Sequence, residues 1–523
     1  MASPERKENN DSNATAVDAA RSVVETRYHD LAKERELCVD KIFYDGHDLQ
    51  ELDPNLVVLS RETNEHPRAW PRRKKWTVTF ITGVYCFLAP FTSTIFAPSL
   101  KSMMADLGET DPIKGALQVS IFLLSFALAP IFLAPLSEIY GRRIVLQCGN
   151  LFFAAFCLGG GFAKTTAQLA VCRFFSGVGG SASLSVYGGI LTDMWDFADR
   201  ARASAMLGSA LLLGPILGPS CGGWMSERAS WRWTCWVPAM AAVALDLMAL
   251  LLFHETYIPT ILQNKVQRVK KEYPSQAWYT VLDLRPRDTS KGKASTIIES
   301  AIRPLIYVTL DPALFLQSLY YAFIFGVLYL VITTFERVFG GGYGHSPGIV
   351  GMDLMSEGIG ALIGMQGSAV IVQYIYKREI NKNKEYKPET RLISAFPGAF
   401  CASAGLFLYG FSVLKTHFMV PLVGVAVFTV GMANTFLAIQ LYIIDCFEYP
   451  ASAMAGLSVL RCLFAAVFPL FGDRLFECLG VDWGVGLLAF LSVGLGAPFL
   501  LALYFYGPQL RAVGKKNRAK FLG

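Results

Sequence analysis

Apolar residues in this chain neither alternate nor keep to one helical stripe. They run on for about 20 positions at a time, the length a helix needs to cross hydrocarbon. Twelve such runs stand at roughly 76–99, 113–136, 144–163, 167–191, 204–225, 233–253, 312–335, 348–374, 392–411, 417–445, 454–477 and 483–506. They are far longer than the roughly 9–11 residues of a barrel strand. The pattern predicts an all-α polytopic membrane protein built from two six-helix bundles. Its parts are a polar tail over 1–75, a first bundle over 76–253, a central connection over 254–307, a second bundle over 308–506 and a tail over 507–523.

Charge falls between the runs and alternates in density. Pro71-Arg72-Arg73-Lys74-Lys75 stands directly before span one. Arg142-Arg143, Arg200 with Arg202, and the basic 377–391 segment fill alternate connections. Arg511, Lys515, Lys516, Arg518 and Lys520 follow span twelve. The opposite loops carry isolated charges such as Lys114, Lys164, Arg337 and Lys415. The connection between spans ten and eleven, with Glu448 and no Lys or Arg, is oriented by parity alone. Positive charge stays on the cytoplasmic side, so both tails and the central connection are expected there. The Lys265–Lys271 stretch reads either as an amphipathic helix on the inner surface or as a solvated linker.

Composition agrees. The chain has 523 residues, of which 53% are hydrophobic, 13% aromatic and 17% charged, against about 25% charged in soluble domains. The net charge of +6 belongs to the flanks, so it reads as membrane orientation and not nucleic-acid binding. No paired-cysteine or Cys/His spacing points to a metal, and Cys86, Cys157, Cys172 and Cys401 read as small buried hydrophobes. The first 75 residues are too polar for a signal peptide, so span one is expected to direct insertion. No Gly-x-x-x-x-Gly-Lys-Ser/Thr loop is present to hold ATP, and no cofactor is expected.

Several polar positions interrupt the pattern. Ala134-Pro135-Leu136-Ser137-Glu138-Ile139-Tyr140-Gly141-Arg142-Arg143 puts an acid at a helix end and two arginines across a Gly turn. Such charges either pair between helix ends and favour one conformational state, or simply mark an inner loop. Arg173 lies in the apolar span four, where a charge is costly unless paired or hydrated. It reads as an anion or proton-coupling group, or as a side chain snorkelling from the helix end. Gly177, Gly179 and Gly180 permit close helix contact there. Span five contains Gly214-Pro215-Ile216-Leu217-Gly218-Pro219, a bend or hinge, or ordinary Gly-rich packing. Asp246, Glu357, Asn434, Gln440 and Arg461 are candidates to line a cavity. Asp193 and Asp445 end their spans and are proton-coupling candidates or helix-end charges.

The 134–143 segment resembles the Gly-x-Leu-x-Asp-x-x-Gly-Arg-Arg/Lys loop of the major facilitator superfamily, with Ala134 and Glu138 as departures. Arg173 to Gly177 is similar to the family's fourth-helix Arg-x-x-x-Gly motif, whose arginine is associated with proton coupling. The span-five run resembles the antiporter motif Gly-x-x-x-Gly-Pro-x-x-Gly-Gly, with Pro219 in place of a glycine. Trp231-Arg232-Trp233, Pro388-Glu389-Thr390-Arg391, Tyr442-Ile443-Ile444-Asp445 and His254-Glu255-Thr256-Tyr257-Ile258-Pro259 look like segments of fungal twelve-helix drug/proton antiporters. The resemblance implies a monomeric carrier in the lipid bilayer of the cell membrane, or of the vacuole. It would use a proton gradient to export a small amphipathic toxin, drug or secondary metabolite. A polyamine/proton antiporter and a non-transporting nutrient receptor with a carrier fold are the alternatives. No catalysis is implied.

Epitope tags placed in either tail or in 254–307 should be reached by antibody only after permeabilisation. Labelling of a tagged terminus in intact cells would overturn this orientation.

Overall fold

The computed structural model describes residues 53, 55–59, 64–110, 112–274, 277–280, 283, 293–381, 388–447 and 450–522. Most of the predicted N-terminal tail, Glu448 and part of the 377–391 segment lie outside them. The chain divides into two compact units, Met1–Lys75 with Glu255–Ser295, and Trp76–His254 with Thr296–Gly523.

In the smaller unit, β1 (Leu56–Val57) pairs in parallel with β2 (Tyr279–Thr280). The Lys265–Lys271 stretch lies in a helix, Ile258–Glu272. Its apolar positions Ile258, Leu262 and Val266 recur every four residues and pack on Val57 and Leu59. That face is therefore covered by the chain itself and not open to lipid. Lys265 pairs with Glu65 at 2.7 Å and donates to the Val58 carbonyl at 2.9 Å. Lys270 and Lys271 in the last turn suit the negative end of the helix.

The larger unit holds the crossings. Eleven helices among the described residues are long and apolar enough to span a bilayer. They are Arg72–Ser99 (span one), Arg142–Gly160 (three), Thr166–Met194 (four), Asp199–Arg228 (five), Trp233–Leu252 (six), Pro312–Gly342 (seven), Gly348–Ile375 (eight), Pro388–Ser412 (nine), Met419–Cys446 (ten), Ser452–Gly472 (eleven) and Arg474–Arg518 (twelve). Span two is the pair Leu117–Leu128 and Pro130–Tyr140, bent by 45°. The bend follows from Pro130, which cannot donate to the carbonyl four residues back and crowds it. Each predicted run thus has its helix. Span twelve runs on through the expected 507–523 tail, and helix continues to Leu522. Side chains of that extension hold it down: Arg511 pairs with Glu389, Arg518 with Asp311 at 3.6 Å, and Asn517 donates to the Leu310 carbonyl at 3.2 Å. Asp311 in turn caps span seven, accepting from the Ala313 and Leu314 amides at 3.1 and 3.2 Å.

Glycine sets how closely the helices approach. A Cβ on Gly214 would lie 2.7 Å from the Phe87 carbonyl oxygen, and one on Gly218 would overlap Thr94 and the Phe91 carbonyl. Gly222 abuts the Ile95 backbone in the same way. These positions, four apart, lay span five directly on the backbone of span one. Pro219 has no N–H, so the Pro215 carbonyl loses its partner within the helix. The Thr94 hydroxyl supplies the missing donor at 2.8 Å. The span-five run is therefore a tight seam with its exposed acceptor satisfied from the neighbouring helix.

Gly218→Leu should force spans one and five apart and destabilise the protein by about 1–3 kcal/mol or more. Gly367→Ala, whose added methyl meets nothing within 4 Å, should melt like the wild type. Equal melting temperatures for G218L and wild type in detergent would contradict the seam.

Candidate functional site

Two arginines, Arg173 and Arg461, are buried in crossing helices away from the helix-end ion pairs, and they are treated differently. Arg173, 3% exposed, donates from Nε to the Gln118 carbonyl at 3.1 Å and from its two terminal nitrogens to the Thr92 and Ser93 carbonyls at 2.7 and 2.9 Å. Phe96 and Phe122 cover its plane at 4.5 and 4.7 Å. Thr92 and Ser93 come from span one and Gln118 from span two, so the guanidinium ties spans one, two and four. Charge-assisted hydrogen bonds of this kind contribute about 1.5–3 kcal/mol each, against several kcal/mol for burying the ion. The side chain neither snorkels nor meets a carboxylate. The glycines beside it serve packing: Gly177 abuts Ser125 and the Phe122 carbonyl, and Gly179 abuts Gly149 and Phe153.

Arg461 of span eleven, 2% exposed, sits among aromatic side chains. Its guanidinium carbon is 4.8 Å from the Phe325 ring centre and 6.0 Å from that of Phe436. Its Nε has no hydrogen-bond partner. The groups acting on its charge are Cys462, Tyr321 and Tyr187, none of them a carboxylate. Tyr321 stacks on Phe436 at 4.8 Å. Tyr187 belongs to span four of the first half, and Cys86 of span one is also within electrostatic reach of Arg461. Nearby, Ser93 and Tyr329 join spans one and seven through their hydroxyls at 3.3 Å. Arg461 thus lies where the two halves meet.

The other expected cavity residues divide. Asp246 accepts from the Tyr85 hydroxyl at 2.7 Å, inside the first half between spans one and six. Glu357 of span eight is fully buried, and neither carboxylate oxygen has a hydrogen-bond partner. Gln440 is likewise buried with both amide atoms unpartnered, and so is the Asn434 side-chain oxygen.

The helix-end charges assemble on one face. Arg142 pairs with Asp193 at 3.4 Å and donates to the Ser137 hydroxyl at 2.5 Å. Arg143 donates to the Leu250 carbonyl at 2.9 Å. Gly141 has φ +96°, a conformation that favours glycine and aims both arginines back at the helices. Glu138 is half-buried and forms no ion pair among the described residues; Ser137 is the neighbour that meets Arg142. In the second half Arg391 pairs with Asp445 at 3.0 Å. Asp445 also meets Arg200 of the first half at 3.5 Å, and Arg202 donates to Gln373 at 3.2 Å. Asp193 and Asp445 therefore stand in this structure as helix-end charges. At the other end of span five Ser220 donates to the Gly351 carbonyl at 2.5 Å. On that same side the Trp231 indole donates to Asp106 at 2.9 Å, and Arg232 pairs with it; together they hold the Asp106 carboxyl below the usual carboxylate range.

Sequence reasoning picked out Arg461 but not Tyr187, Tyr321, Phe325, Phe436 or Cys86 around it. Among 37 Phe and 21 Tyr they carry no mark of their own, because helix rotation decides which rings face inward.

Twelve crossings, buried charges within them and a contact zone between two halves define an integral membrane transporter. The sequence profile of the Major Facilitator Superfamily matches residues 83–469, and the chain belongs to that family. It is 36% identical over 468 residues to the efflux pump vrtL of Penicillium aethiopicum, covering 88% of this chain and 92% of that one. It is 34% identical to the efflux pump radE of Floropilus chiversii, covering 88% and 86%. Likewise it is 34% identical to the MFS-type transporter penM of Penicillium rubens, covering 90% and 92%. In fold it is similar to the proton:xylose symporter XylE, with TM-score 0.61 at 13% identity over 83% of this chain and 96% of that one. The chain is thus a secondary transporter of a small solute, not an enzyme.

Asp445→Asn should leave Arg391 and Arg200 without their shared carboxylate and loosen this face. In a variant keeping Cys446 as its sole cysteine, thiol labelling from this face should quicken by about tenfold or more, equivalent to roughly 1.4 kcal/mol. Unchanged labelling would show that the pairs do not hold the halves together.

Proposed function

We propose that this protein is a proton-coupled exporter of a small amphipathic toxin, drug or secondary metabolite. The observation that carries the reading is the similarity, over nearly the whole chain, to two fungal proteins named as efflux pumps. The two halves rock about their contact zone, exposing it to one side and then the other. The basic face is cytoplasmic, and the protein works as a monomer in the cell membrane.

The zone between the halves suits an aromatic or amphipathic solute. Phe325, Phe436 and Tyr321 offer apolar area, which contributes roughly 25 cal/mol per Å² removed from water. It suits a polyamine poorly, since the charge at its centre is the cation Arg461. Glu357 is the carboxylate best placed to take up and release a proton as its surroundings change, because burial leaves both oxygens without a donor. Arg173 acts in this reading as a clamp whose three carbonyl contacts couple spans one, two and four to that motion. Asp193 and Asp445 act as gate charges.

Reconstituted in sealed vesicles, the protein should concentrate lipophilic dyes against a gradient when protons are supplied on the opposite side. A proton uncoupler should abolish that flux. Glu357→Gln should lower coupled proton movement by about tenfold or more, and R173A should lower both fluxes at matched abundance. Concentrative transport that survives complete gradient collapse would refute proton coupling. Flux of polyamines alone would refute the substrate class.

A further inference from the structure

The difference between the two buried arginines has a chemical meaning. Arg173 spends its donors on three backbone carbonyls. Around Arg461 the contacts are of another kind. Phe325 and Phe436 engage its charge through their rings. Cation–π contact uses the face of the guanidinium, whereas its N–H groups point outward in the plane. The rings therefore hold the side chain in place without consuming its donors. Two further donors lie within its electrostatic reach, the hydroxyls of Tyr187 and Tyr321. Both are buried; the Tyr187 hydroxyl has no hydrogen-bond partner, and the Tyr321 oxygen lies against Arg461, which can only donate, so both O–H groups remain open. Tyr187 comes from span four, Tyr321 from span seven and Arg461 from span eleven, so the donors converge from both halves.

We propose that Arg461, Tyr187 and Tyr321 form a subsite for an acidic oxygen of the transported molecule, a carboxylate or phenolate. The apolar body of that molecule lies against Phe325 and Phe436. This rests on the transport reading above and narrows its substrate class. An acidic oxygen here accepts charge-assisted hydrogen bonds from a planar fork and two phenols, in a setting where water does not compete. A neutral solute leaves the guanidinium without a counter-charge. A cationic solute meets like charge at short range with no screening. Two halves each contributing a donor also give the ligand differential contact with the closed state, which a ligand needs to shift a conformational equilibrium.

The test compares two xanthene dyes of similar shape and opposite charge, fluorescein and rhodamine 6G. Binding is read by fluorescence anisotropy on the full-length protein in nanodiscs, near neutral pH and without a gradient. Wild type should bind fluorescein about tenfold or more tightly than rhodamine 6G. R461Q should abolish the preference, R461K should keep part of it, and Y187F should weaken fluorescein by about threefold or more. The wild-type comparison needs no variant and stands if R461Q fails to fold. Rhodamine 6G binding as tightly as fluorescein would overturn the subsite. So would a well-folded R461Q with unchanged fluorescein affinity, or wild type binding neither dye up to about 1 mM. Because no gradient is applied, binding with the acid preference but no flux in vesicles would sink the transport reading alone. Flux without acid preference would sink only the subsite.

Discussion

A guanidinium inside a helical bundle has five N–H donors to place and a charge to offset, and helix backbones in hydrocarbon have already paired their own acceptors. A paired helix carbonyl keeps a second lone pair, and carbonyls near a helix end or bend are the most open to a further donor. Arg173 finds such carbonyls at Thr92 and Ser93, near the end of span one. It therefore dictates where spans one, two and four meet, and the Gly177 and Gly179 contacts follow from that closeness. Arg461 has aromatic rings around it in place of carbonyls. The same residue type is thus a structural clamp in one half and a donor with capacity to spare in the other.

The two halves repeat a second solution. Arg142 at the start of span three meets Asp193 at the end of span four, and Arg391 at the start of span nine meets Asp445 at the end of span ten. Each pair fastens two neighbouring helices at the same relative place in its six-helix set. The repeat is broken by Arg200, which reaches Asp445 from the other half. A motif that stabilises each bundle internally has thereby acquired a contact between bundles.

Much of this was legible in the chain. Twelve apolar runs announced the crossings because a bilayer demands length and hydrophobicity whatever the neighbours are. Gly214, Gly218 and Pro219 shape the seam with span one; these residues act through their own backbone, so their effect travels with the sequence, whereas the bend at Pro130 was not singled out. The pairing left open for Glu138 depends on which way a half-buried helix end faces, and here Ser137 faces Arg142. A helix at Lys265–Lys271 was one of two open readings, and neither included the cover by Val57 and Leu59, which come from far earlier in the chain. Phe325 and Phe436 were invisible for the same reason: rotation about a helix axis is a tertiary property, and an apolar ring suits lipid and interior alike.

Span five begins with Arg200 against Asp445 and Arg202 against Gln373, and nears its end with Ser220 against the Gly351 carbonyl. One beam is thus moored to the opposite half at both ends, while Gly214 and Gly218 weld its middle to span one. Between the two moorings Gln366 of span eight also donates to the Ser209 hydroxyl at 3.2 Å, so the beam touches the opposite half along its length. The two moorings differ in kind, ionic at one end and a neutral hydrogen bond at the other, so they do not part with equal ease. Arg200 and Asp445 are both largely buried, so salt in the medium screens that mooring little, and its hold is set inside the protein.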